Sequence, residues 1–151
     1  MAQSQNTKVD SHVKADKIVI KLDSKDASGT THAIHQDKGN LTIDGDVDID
    51  ITGQRHTVGV YSHAGSTTIN GNVKVVLDGN HGGFAEYGAA GIYAHANYGG
   101  AAGGTVNVNG NVDISGVGNG LFANIGGGTI NVNGGKINIV DDNTDTGYSA
   151  I

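Results

Sequence analysis

The side chains best suited to chemistry recur in step along the chain. Gly59-Val-Tyr-Ser-His63, Gly91-Ile-Tyr-Ala-His95 and Gly120-Leu-Phe-Ala-Asn124 each set a ring two places ahead of a hydrogen-bonding side chain, and the looser Thr31-His-Ala-Ile-His35 precedes them. With Ala33, Ser62, Ala94 and Ala123 taken as equivalent, Tyr61, Tyr93 and Phe122 fall in one column with His32, and His63, His95 and Asn124 fall in the next. If Val60, Ile92 and Leu121 point inward, the rings point outward. Exposed rings beside donors and acceptors stack on sugars or pair with a protein surface. The competing reading is a ladder of rings that only ties neighbouring repeats together. Two imidazoles in adjacent repeats repel once both are protonated, which predicts a mild acid sensitivity. A shared metal would need a third ligand, and none is evident, so neither a metal nor any other cofactor is expected.

Two further sets of residues are of types that do chemistry. Asp44, Asp46, Asp48 and Asp50 form an acidic row that suggests calcium. Against this, Asp44 is followed in later repeats by Asn70, Asn109 and Asn133, an amide ladder, and Asp48 by Lys74 and then Asp113, an alternation that relieves like-charge stacking. Hydrolysis or elimination on a polysaccharide would need carboxylates converging from adjacent repeats, often beside a cation. The chain has a single Glu, Glu86, and a single Arg, Arg55, and no Ser in a Gly-x-Ser-x-Gly elbow. A non-catalytic role is therefore expected, with Phe84 and Tyr87, in the loop that carries Glu86, as further contact residues.

The elements that must position these side chains follow from the repeats. Ile43-Asp-Gly-Asp-Val-Asp-Ile49, Ile69-Asn-Gly-Asn-Val-Lys-Val75, Val108-Asn-Gly-Asn-Val-Asp-Ile114 and Val132-Asn-Gly-Gly-Lys-Ile-Asn-Ile139 superimpose. Each copy occupies about 27 to 32 residues, the size of one coil of a parallel β-helix made of short alternating strands. The expected fold is all-β, a right-handed parallel β-helix of about four to five coils, on the order of 20 Å long at about 4.8 Å per coil. Asn-Gly steps at Asn70, Asn109 and Asn133 leave antiparallel hairpins as the alternative. Residues 1–16 read as a polar, flexible or capping segment and 17–151 as the repeats, with Lys17 to Leu22 a first rung and 79–90 a loop insertion. The last copy stops mid-repeat at Ile151, the expectation for a piece of a longer protein.

Composition narrows the partners. Of 151 residues 26 are Gly and none is Pro, Cys or Trp, so the chain bends often without collagen's period. A net charge of −6 disfavours a phosphate backbone, so no nucleic acid is expected. No apolar run is long enough to span a bilayer, and no membrane insertion is expected.

Gly91-Ile-Tyr-Ala94, Gly-Gly-Thr-Val-Asn-Val-Asn-Gly from Gly103 to Gly110, and Gly-Gly-Thr-Ile-Asn-Val-Asn-Gly from Gly127 to Gly134 resemble the passenger regions of bacterial autotransporter (type V secreted) adhesins. The resemblance covers roughly residues 28 to 151 and lies in repeat texture. It implies a right-handed β-helical passenger, export through the outer membrane, and a place at the bacterial cell surface or outside the cell. The absence of Cys fits passage of an unfolded chain. A signal peptide, a translocator barrel and a protease or esterase domain are not recognisable in these residues. The implied role is a stalk that attaches to a host glycan, a host surface protein or copies of itself through coil faces or ends. A β-helical carbohydrate-active enzyme fragment and a purely structural spacer are the alternatives.

Overall fold

The computed structural model describes residues 10–24, 29–53, 57–78, 89–95, 103–116, 119–124, 127–140 and 150–151. Alternation of apolar and polar residues makes strands of these segments, and no helix occurs among the described residues. In chain order the strands are β1 (Ser11–Asp23), β2 (Thr31–Gln36), β3 (Asn40–Thr52), β4 (Thr57–Ser62), β5 (Ser66–Ile69), β6 (Val73–Asp78), β7 (Ala90–His95), β8 (Thr105–Val108), β9 (Val112–Ser115), β10 (Asn119–Asn124), β11 (Thr129–Val132) and β12 (Ile137–Val140).

Every strand pairing is parallel, which removes the hairpin alternative. Three ladders result. The first stacks β2, β4, β7 and β10. The second stacks the N-terminal half of β3 with β5, β8 and β11, and the third its C-terminal half with β6, β9 and β12. Strand β1 covers both halves of β3. From β2 through β4 and β7 to β10 the chain returns to the first ladder after about three turns of a β-solenoid.

The interior consists of columns of like residues. Ile34, Val60, Ile92 and Leu121 point in from the first ladder, Ile43, Ile69 and Val108 from the second, and Ile49, Val75 and Ile114 from the third, all buried. Because each column repeats at the coil spacing, every side chain packs on its own kind above and below as well as across the solenoid. The first ladder lies close to the third: a Cβ added at Gly91 would meet the Ile114 side chain at 2.5 Å. The bend between the second and third ladders needs glycine as well. Gly45 has a φ of 150°, and a side chain there would strike the carbonyl of Ala15 in a bulge of β1.

Two features differ from the sequence reading. Strand β1 begins at Ser11, inside the segment 1–16 set apart above, and its polar start pairs with Leu41 to Asp44 as the outermost rung. In the first repeat Gln36, not Ala33, faces Ser62, and Ile34 faces Val60. The short apolar signature of that copy is therefore Ala33-Ile-His-Gln36, equivalent to Gly59-Val-Tyr-Ser62.

Candidate functional site

The outer side of the first ladder carries the ring column. In strand register His35 lies opposite Tyr61, Tyr61 opposite Tyr93 and Tyr93 opposite Phe122. The inward neighbours Val60 and Ser62, and Ile92 and Ala94, are fully buried, which turns the rings out, and Tyr61, Tyr93 and Phe122 are half-buried. Tyr61 and Tyr93 have ring centroids 5.3 Å apart, and Tyr93 and Phe122 4.9 Å. His32 joins the column from outside its register, lying flat on Tyr61 at 4.3 Å and 10°.

The second column is built as the spacing suggests. His63 and His95 stack at 5.2 Å and 16°. The backbone of Asn124 pairs with that of His95. Phe84 and Tyr87, and with them Glu86 and Arg55, lie outside the described residues.

Electrostatics at the lower end of this face involve two groups that spacing alone missed, His35 and Asp37. Nδ1 of His32 lies 3.2 Å from Nδ1 of His35, so one imidazole must donate and the other accept. Nε2 of His35 is 2.8 Å from Asp37 Oδ1, and Nδ1 of His63 is 3.6 Å from the same oxygen. Burial, and then the neighbouring His35, push the His32 pKa down to about 4, against a smaller upward pull from Asp37. Burial and then His63 lower that of His95, whose Nδ1 is buried without a hydrogen-bond partner among the described residues. Burial raises the Tyr61 phenol, with Asp37 adding to the shift. No group of three or more His, Asp or Glu that could hold a metal ion occurs among the described residues.

The amide column runs as read from the repeats. Asn70 donates to Asp44 Oδ1 at 2.6 Å, Asn109 to Asn70 at 2.6 Å and Asn133 to Asn109 at 2.7 Å. Two parallel rows had not been singled out. Asp46, Asn72 and Asn111 each accept a backbone N–H from the next coil, at 2.8, 2.9 and 3.1 Å. Asn107 donates to Thr68 at 3.4 Å and Asn131 to Asn107 at 2.8 Å. The acidic row thus has side-chain partners in place of a metal ion: Asp44 also takes His12 at 2.6 Å, and Asp48 takes Lys17 at 3.7 Å. Hydrogen bonding by Asn70 and then His12 holds the exposed Asp44 carboxyl below the usual carboxylate range.

Carboxylates from different coils do meet in one place. Asp46, Asp48 and Asp113 line a groove of about 230 Å³ on the third ladder with Lys17 and Lys74. In register, Lys74 stands between Asp48 and Asp113, so an ammonium separates them along the stack.

No family model, curated protein or solved structure matches this chain.

Proposed function

We propose that this chain is a non-catalytic stalk of a surface-displayed bacterial adhesin of the autotransporter type, which attaches through the ring column of its first ladder to a glycan, a host surface protein or another copy. In this reading the β-helix is right-handed, following the general rule for parallel crossovers, and its repeats form four to five coils. The observation that carries the reading is the unbroken row of half-exposed rings from His32 through Tyr61 and Tyr93 to Phe122, spaced 4.3 to 5.3 Å apart. A row of rings held at fixed intervals on rigid backbone loses little side-chain freedom on binding.

The test is an array of glycans and matrix proteins probed with the chain and with a Tyr61→Ala/Tyr93→Ala double variant. A specific signal that disappears in the variant, with the β-sheet circular dichroism unchanged, is expected. Equal signals from both would overturn the ring column as the contact face.

A second reading, a β-helical enzyme acting on polysaccharide, is favoured by the groove that holds Asp46, Asp48 and Asp113. Release of reducing ends from a polysaccharide, lost in Asp48→Asn and Asp113→Asn, would establish it in place of the stalk.

A further inference from the structure

The outward side of the second ladder has three columns, and they differ in what their polar groups already bond. The column from Asp44 to Asn133 and the column of Thr68, Asn107 and Asn131 are hydrogen-bonded from coil to coil. The remaining column runs through Asn40, Ser66 and Thr105, which are paired in backbone register. Their side chains enter no hydrogen bond among the described residues; the bond from Asn40 to Asp10 is made by its backbone N–H.

These three side chains border a groove of about 240 Å³ that is also lined by Gly39, Gly65, Gly103 and Ala64. The coils are in backbone contact there: a Cβ added at Gly65 would come within 2.8 Å of the Gly39 carbonyl. The coils pack backbone to backbone at these glycines, which carry no side chain to cover the groove, so a ligand can approach the main chain.

We propose that this groove binds a neutral, unbranched glycan laid along the solenoid axis. No lining residue carries a charge, so an acidic polymer finds no counter-ion in it. One hydroxyl bond exchanged for water is worth only about 0.5–1.5 kcal/mol, so a single sugar is held weakly and affinity must come from repetition. The groove crosses three coils, so its polar positions Asn40, Ser66 and Thr105 recur about 4.8 Å apart along the axis, close to the length of one sugar unit in an extended chain. Ala64 directly follows His63, so the groove runs beside the column of His63 and His95, whose half-exposed rings add apolar contact and hydrogen-bonding nitrogens. The inference rests on the attachment role proposed above and names its ligand class and path.

Titration calorimetry of the full chain with chitobiose, chitotetraose and chitohexaose, and with cellohexaose and mannohexaose, tests it, alongside heparin as an acidic probe. Two variants are compared: Ala64→Trp, which fills the groove from an exposed bend, and Ser66→Ala/Thr105→Val, which removes the hydroxyls at nearly constant volume. For at least one sugar series the affinity is expected to rise with length and to fall about tenfold or more in both variants, a loss of about 1.4 kcal/mol. Circular dichroism of both variants should match that of the parent chain. Length-independent binding, or preference for heparin, would overturn the groove. Binding that survives both variants but is lost in Tyr61→Ala/Tyr93→Ala would overturn it too, while leaving attachment through the rings intact. No binding to any neutral oligosaccharide overturns the groove, and a blank glycan and matrix array beside it overturns the attachment role as well.

Discussion

The ring column of the first ladder and the amide column beside the second use one device, like side chains repeated at the coil spacing, and they differ in their sensitivity to protons. An amide carries a donor and an acceptor at once, so Asn70, Asn109 and Asn133 bond in series with no change of charge. An imidazole has both only while it is neutral. Around His32, His35 and His63 one carboxylate, Asp37, serves two of the three rings. A proton taken up by His32 therefore removes an acceptor from the first column, while the bonds among Asn70, Asn109 and Asn133 involve no titrating group. Within one solenoid, the amide-to-amide bonds are independent of pH and the imidazole bond of His32 is not.

The largest effect is expected where both columns lose their common support. In Gly91→Val the new side chain would overlap Ile114, and overpacking typically costs about 1–3 kcal/mol, here at the upper end because backbone and core must both shift. Chemical denaturation should show it, while Gly29→Ala, which meets nothing within 4 Å, leaves the midpoint unchanged. If Gly91→Val is as stable as the parent chain, the first and third ladders are not packed as described.

Next comes the amide column itself. Asn109 both donates and accepts at the exposed surface, so Asn109→Ala removes two bonds whose partners turn to water instead, at an expected loss of about 0.5–1.5 kcal/mol. Asn133→Ala removes only its donated bond among the described residues and should lose about half as much. Neither loss should vary between pH 7 and pH 5. A pH-dependent loss would erase the contrast between the two columns.

A smaller change is expected with acid. Because burial pushes the His32 pKa down to about 4 in the fold, against an ordinary value of 6.5, the unfolded chain holds its proton more tightly. Its contribution to stability is full above pH 6.5, declines as the pH falls, and is exhausted near pH 4. Thermal melts across that window should drop in temperature, and His32→Gln should flatten the slope while Asn109→Ala keeps it. An unchanged slope in His32→Gln would take the ring column out of the acid response. Smallest of all, Lys17→Ala breaks an exposed ion pair with Asp48 at 3.7 Å and should shift stability by about 0–1 kcal/mol, with the difference gone in high salt.

How much of this was legible depended on where each residue sits in the stack. The inner coils show clean alternation because one side of every strand is buried, so the columns through Tyr61 and Tyr93 and through Asn70 and Asn109 could be drawn from spacing. In the first copy the small Ala33 resembles Ser62 and Ala94, but the inward residue is Ile34 and Gln36 faces Ser62. That shift of register conceals His35, which takes the place of a tyrosine in the column. The start of β1 was unreadable for a different reason: Ser11 to Lys17 are all exposed, so burial imposes no alternation on them. The groove at Ser66 and Thr105 left no trace in the pattern, since it depends on which hydroxyls the neighbouring amides leave unbonded.

The direction of the amide bonds has an electrical consequence. Asn133 donates to Asn109, Asn109 to Asn70 and Asn70 to Asp44, so every side-chain dipole points the same way along the stack. Such a row sums as the peptide dipoles of a helix do, positive at the end where the N–H groups point. That end meets the only member of the column that carries a negative charge. Asp44 thus terminates the row as an anion terminates a helix N-terminus, which accounts for an acid standing in the first coil where the later coils have amides.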